Sequence, residues 1–183
     1  MNAGASGLAS VIIPMAKAFG ARVITTVLTD DKAEAIRHLG ADRVVVTTRE
    51  DIVEVLRQEL EAGHSVDVAI DCLGGAIMGK CIHYLTHGAR WIMIAALAGQ
   101  MTEIDLKNIY VRNVRIIGST LRSRHPAVKA EILRGIVRDV YPKIEAGLVK
   151  PTIHAVLPIE QAEAAQDILY QGQNVGKVVL TLS

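Results

Sequence analysis

In 183 residues, half of them hydrophobic and 21% charged, there is room for one domain with a substantial core, and disorder is excluded. Twenty Lys and Arg against nineteen Asp and Glu leave a net charge of +1, and one Trp, four Tyr and one Phe offer little for base stacking, so neither a nucleic-acid surface nor an anionic-membrane surface is expected. Cys72 and Cys81 suggest neither a disulfide framework nor a zinc site; with no signal peptide and only short apolar runs, a cytoplasmic protein without a membrane span is expected.

In chain order, short β-branched runs alternate with helical stretches, the mark of βαβ units and a parallel sheet. Helices are expected over 7–19 and 31–39, with Gly20 and Gly40 standing where a left-handed residue closes a helix. Strands are expected over 22–27 and 43–46. Thr48 with Asp51 reads as an N-cap with an acidic first turn, and Val53, Leu56 and Leu60 give the helix over 50–60 its stripe. The run 66–71 is nearly continuously apolar, as suits a strand covered on both faces. A helix over 77–85 and strands over 90–94 and 114–117 follow.

After Gly118 the pattern changes. Pro126 opens a long helix to about Ala146, its buried face formed by Ile132, Leu133, Ile136, Val137, Val140 and Ile144, with Pro142 marking a kink. An extended stretch over 152–157, a helix over 159–170 and a strand over 177–182 complete the chain. The fold class expected is α/β, a Rossmann-like doubly wound parallel sheet. Such a sheet needs an apolar strand immediately before its glycine-rich turn, and here only Met1, Asn2 and Ala3 precede the turn. The first strand is therefore expected to be missing or incomplete, as in a truncated domain.

The turn runs from Asn2 to Ser10 and sets Gly4, Ser6 and Ala9 against the pattern G-x-G-x-x-G/A, with an extra Gly7 inside. Small residues there let backbone amides at a helix N-terminus approach a pyrophosphate. A small-residue helix start that does nothing but pack is the bland alternative, and the helix–strand–helix context weighs against it. At the end of the next strand an NAD enzyme usually places Asp or Glu for the ribose hydroxyls. Val27 stands there, so the 2′-phosphate of NADP meets no repulsion, and Thr29, Lys32 and Arg49 are its candidate donors. NADPH is favoured over NADH. Lys32 and Arg49 also read as solvated surface residues.

The stretches NAGASGLASVIIPMAKAFGARVITTV, VDVAIDCLGG, GARWIMIAALAG, IIGSTLRSR and NVGKVVL, in this order, resemble the cofactor domain of medium-chain dehydrogenase/reductases, nearest to the zinc-independent quinone oxidoreductases. The resemblance runs from Asn2 to Leu182. It implies that a barrel-like catalytic domain precedes this region, that residues 1–124 are the dinucleotide-binding domain, and that 125–183 complete it and pack on the absent catalytic domain. It implies hydride transfer from NADPH to a quinone or an α,β-unsaturated carbonyl, no metal, and no catalytic side chain that can be named in this chain. By the same resemblance Ser6, Gly7 and Leu8 match the pyrophosphate turn, and Thr29 and Lys32 the region around the 2′-phosphate. Leu73 and Gly74 match the loop bordering adenosine and ribose, and Ala95, Ala96 and Leu97 the loop beside the nicotinamide ribose. Leu121, Arg122 and Arg124 match a segment facing the active-site cleft. Asn174 and Lys177 match a pair near the nicotinamide end. Ala9 departs from the family's usual glycine. The strand from Val114 to Ile117 resembles the edge through which family members form homodimers.

Other readings fare worse. His38, His64 and His87 sit at helix ends or turns, where solvated or capping roles prevail; His125, beside Arg122 and Arg124, is the one histidine to test. A short-chain dehydrogenase needs Tyr-x-x-x-Lys, but Gly88, Val114, Glu145 and Asn174 stand four residues after Tyr84, Tyr110, Tyr141 and Tyr170. A methyltransferase would usually want an acid at Val27. The remaining alternative is a module that binds cofactor or dimerises without turnover.

Overall fold

The computed structural model describes residues 1–182. In chain order it contains α1 (Ala9–Ala18), β1 (Ile24–Val27), α2 (Asp30–Ala35), β2 (Arg43–Val46), α3 (Ile52–Glu61), β3 (Val66–Asp71), α4 (Gly75–Cys81), β4 (Leu85–Met93), α5 (Leu106–Arg112) and β5 (Arg115–Gly118). The later elements are α6 (Pro126–Asp139), α7 (Tyr141–Glu145), β6 (Ile153–Pro158), α8 (Ala162–Tyr170) and β7 (Lys177–Thr181). Every strand pairing is parallel: β1 with β2, β3 with β4 and β4 with β5, and β6 with β7. This is the Rossmann-like α/β architecture that the alternating pattern implies.

No ladder joins β1 to β3 among the described residues. The chain start lies between them instead. The Met1 amine donates to the Ile24 carbonyl at 3.0 Å and the Gly4 amide to Thr26 at 2.7 Å, while the Asn2 amide reaches Ile70 at 3.4 Å. Residues 1–4 thus run between β1 and β3 toward their carboxyl ends, where an open α/β sheet binds its ligands.

The core falls into two clusters. Ala9, Ile13, Val23, Val27, Ile36, Leu39 and Val46 pack α1 and α2 on one face of β1 and β2. Leu56, Met78, Cys81, Ile82, Leu85, Trp91 and Val114 pack α3 and α4 on one face of the β3–β4–β5 sheet. Burying a side chain such as Ile13 contributes about 1.5–3 kcal/mol, so these faces anchor the loops at the strand ends.

Several boundaries differ from the sequence reading. Asp51, not Thr48, caps α3, its carboxylate accepting the Val53 amide at 2.9 Å; the Thr48 hydroxyl donates to Leu28 instead. The helix expected over 77–85 begins at Gly75, and β4 begins at Leu85 rather than at 90. A register shift between Val66 and Val68 lets β4 carry Gly88 within the strand. The short helix α5 lies where the sequence marks no helical periodicity, although Asp105 caps it in the same way, accepting from Lys107 at 2.9 Å. The long C-terminal helix breaks at Val140, ahead of Pro142, which sits in the first turn of α7 where its missing N–H costs nothing. The stripe of α6 expected to be buried is not: Leu133 is 59% exposed and Val137 53%.

Candidate functional site

The glycine-rich turn is held by backbone bonds that leave its apex open. Ala3 adopts a left-handed conformation, the Ser6 amide donates to its carbonyl at 2.9 Å, and a Cβ on Gly4 would meet Thr25 Oγ1 at 2.6 Å, so residue 4 must be glycine. Ser6 Oγ accepts the Ala9 amide at 3.1 Å, and the Ser6 carbonyl takes the Ser10 amide at 3.0 Å. Ser6 therefore caps α1 rather than facing outward alone. Among the described residues the Gly7 and Leu8 amides find no acceptor, and they stand at the N-terminus of a ten-residue helix. Oriented amides there favour an anion.

The C-terminal segment closes over this apex. Gly176 donates to the Ala5 carbonyl at 2.9 Å and bridges Ser6 in parallel. That contact needs glycine, because φ is +84° and a Cβ would lie 2.1 Å from the Thr152 carbonyl oxygen. The next residue, Lys177, lays its side chain across Gly7: a Cβ there would come within 2.6 Å of Lys177 Cδ and 3.1 Å of Nζ. The Lys177 side chain thus stands beside Gly7, whose amide and that of Leu8 have no acceptor among the described residues.

Lys32 Nζ donates to the Asn174 carbonyl at 2.6 Å, and burial holds its pKa below the ordinary value. Asn174, expected toward the nicotinamide end, is therefore tied to the lysine expected at the adenosine end. Thr29 forms the N-cap of α2 by its backbone alone and is exposed. Arg49 is engaged rather than free, with Nε 3.0 Å from Asp30 and a guanidinium nitrogen 3.5 Å from Glu50. The Asp30 contact is exposed, where ion pairs contribute little and rearrange readily. Val27, 5% exposed, points into the core, so the side chains after it, from residue 28 onward, line this end of the site.

The two remaining loops are bonded to each other. The Leu97 amide donates to Cys72 at 3.1 Å, the Ala98 amide to Leu73 at 2.8 Å, and Gly74 bridges Gly99 in parallel. Leu73 is half-buried and Gly74 buried; Ala95 is half-buried, while Ala96 and Leu97 lie open to solvent. Beneath them Asp71, fully buried, gathers donors from both sides of the cleft, and Asn2 joins it. Neither stands out in the sequence, because the bond that joins them spans 69 residues.

His125 accepts the Ala127 amide at 3.3 Å and caps α6, which is its structural role. Arg124 and Arg122 lie in the exposed loop before it. No group of His, Cys, Asp and Glu that could hold a metal occurs among the described residues. Cys72 and Cys81 are buried apart from any such group, and burial pushes the Cys81 thiol up to about 12, against the thiolate a zinc ion needs. The described residues thus offer no zinc site. No helix among the described residues is long and apolar enough to cross a membrane.

Residues 7–136 match the family model described as zinc-binding dehydrogenase. The chain is 27% identical over 181 residues to a 2-haloacrylate reductase from a Burkholderia species, covering 98% of this chain and 54% of the relative. It is 27% identical over 183 residues to the quinone oxidoreductase of Mus musculus, covering 98% and 52%. A mycobacterial protein solved in complex with NADPH superposes with a TM-score of 0.79 at 25% identity, over 98% of this chain and 54% of that one. The chain spans about half the length of the curated relatives it matches. It belongs to the zinc-binding dehydrogenase family of the medium-chain dehydrogenase/reductases, in their C-terminal cofactor-binding region and on the quinone-oxidoreductase-like side.

Proposed function

We propose that this chain is the NADPH-binding domain of a zinc-independent reductase of the quinone-oxidoreductase type, acting on a quinone or an α,β-unsaturated carbonyl. The observation that carries the reading is the apex of the turn, where the unpaired Gly7 and Leu8 amides meet the Lys177 side chain at the start of α1. Ser6, Gly7, Leu8 and Lys177 hold the pyrophosphate. Thr29, Lys32 and Arg49 receive the adenosine 2′-phosphate, Arg49 by exchanging its exposed bond to Asp30. Leu73 and Gly74 border the adenosine and ribose, Ala95, Ala96 and Leu97 flank the nicotinamide ribose, and Asn174 steadies Lys32. When bound, NADPH supplies the hydride, and the protein supplies position and exclusion of water. Residues 1–124 form the nucleotide domain, and 125–183 complete it and face a catalytic domain; the uncovered stripe of α6 supports that division. Titration with NADPH and NADH, followed by nicotinamide fluorescence, tests the reading. Saturable binding with NADPH preferred is expected, and no saturable binding of either overturns it.

A second reading, pairing of two copies, is favoured by β5, an edge strand with every residue exposed and Ile116 45% so. A homodimer by light scattering that Ile116→Lys converts to monomer is expected. A wild-type monomer at high micromolar concentration excludes it.

A further inference from the structure

Resting on the cofactor reading, we infer that Asp71 is the positioning residue that fixes the glycine-rich turn, the 72–74 loop and the 95–99 loop as one unit. Its side chain is 1% exposed at the end of β3. One carboxyl oxygen accepts the Leu73 amide at 2.8 Å, the Gly74 amide at 3.0 Å and the Asn2 side-chain amide; the other accepts Trp91 Nε1 at 3.0 Å. These donors come from three separate parts of the cleft. Asn2 leads into the turn and returns a second bond, its Oδ1 accepting the Cys72 amide at 3.1 Å. Leu73 and Gly74 are themselves the 72–74 loop. Trp91 lies in β4, two residues before that strand ends and leads on to the 95–99 loop.

The 95–99 loop has no direct bond to Asp71 and depends on it through backbone. Leu97 and Ala98 donate to Cys72 and Leu73, and Gly74 pairs with Gly99. The spacing leaves no slack: a Cβ on Gly74 would sit 2.7 Å from the Gly99 carbonyl oxygen, and one on Gly99 3.2 Å from Gly75 Cα. A carboxyl group accepts at both oxygens, and every neighbour of Asp71 here is a donor. An asparagine keeps the shape but must turn an NH₂ toward either Trp91 Nε1 or the loop amides, setting donor against donor. Asp71 touches no cofactor position itself; it acts through the loops.

Hydrogen exchange on the nucleotide-free protein tests this independently of cofactor binding. In Asp71→Asn, amide exchange at Leu73, Gly74, Leu97 and Ala98 should quicken by about tenfold or more, while β2 and α3 stay as in wild type. Trp91→Phe in the Asp71→Asn background removes the opposed donor and should restore most of the protection. Where Asp71→Asn does not fold, Asn2→Ala, which cuts only the tie to the turn, should quicken exchange at Cys72 and leave Ala98 protected. Loop exchange that is unchanged, or that quickens equally throughout the protein, overturns the proposal. With NADPH added, Asp71→Asn should raise Kd by about tenfold. Loosened loops with unaltered Kd overturn the positioning role. A wild type that binds no NADPH but shows the local exchange pattern sinks the cofactor reading and leaves the three-segment unit standing.

Discussion

Replacing Lys177 by Met removes the ammonium that lies across Gly7 while keeping a side chain of similar length. The backbone contribution of this residue, its amide donating to Thr152 at 2.8 Å, is untouched, and the side chain is exposed, so the melting temperature should not move. A hydrogen bond to a charged group contributes about 1.5–3 kcal/mol, which converts to a rise in the NADPH Kd of about 10- to 150-fold. Because the lost interaction is one of charge, the affinity of wild type should fall with added salt more steeply than that of Lys177→Met. Fluorescence titration at two salt concentrations, alongside thermal melts of the free proteins, reads both effects. A Kd within about twofold of wild type would refute the placement of the pyrophosphate at Gly7 and Lys177.

Gly176→Ala forces a left-handed backbone costing about 1–2 kcal/mol even before the Thr152 contact, so at about 2–4 °C per kcal/mol it should melt several degrees below wild type. An unchanged melting temperature would mean that the 174–177 segment is not held against the turn. Asp42 is kept below the usual carboxylate range by the Lys17 ammonium at 2.8 Å and the Val23 amide at 2.7 Å. A depressed folded-state pKa gives stability that is present above the unfolded value and lost as pH falls through the folded one. Asp42→Asn should therefore cost stability at neutral pH, with the difference from wild type closing below about pH 3.9; a gap that is constant with pH contradicts the assignment. Burial raises the Cys72 thiol and pushes Cys81 up to about 12, so neither should react with a chromogenic disulfide reagent at pH 8 until denaturant is added. Prompt labelling of the folded protein would show that the core around β3 and α4 opens.

The elements most legible in the sequence are those whose signal is local. β2 and β3 fall at the residues their apolar runs mark, and Gly40 closes a helical segment in the left-handed conformation expected of it. The first part of β4 is hidden in the sequence because Thr86, His87 and Gly88 break the apolar run, and the bulge that accommodates them is a property of the pairing with β3. α5 has a local signal, Asp105 ahead of Lys107 and Asn108, but only seven residues to show periodicity. The turn was legible by its small residues, and Lys32 and Lys177 by their charge. What could not be read was how these meet. The bond from Lys32 to Asn174 joins residues 142 apart, and Asp71 collects Asn2 and Trp91 across 69 and 20. Such contacts follow from the order in which parallel strands lie side by side, which no window of sequence contains.

The central claim is that a nucleotide lies over the turn and between the loops that Asp71 gathers. Amide chemical-shift mapping of the isotope-labelled chain with NADPH tests it most directly. Saturable shifts are expected at Gly7 and Leu8, at residues 29–32, at Leu73 and Gly74 and at residues 95–97, with little change along α6. Shifts that fail to saturate, or that gather on α6 or the β5 edge while the turn stays silent, would contradict it.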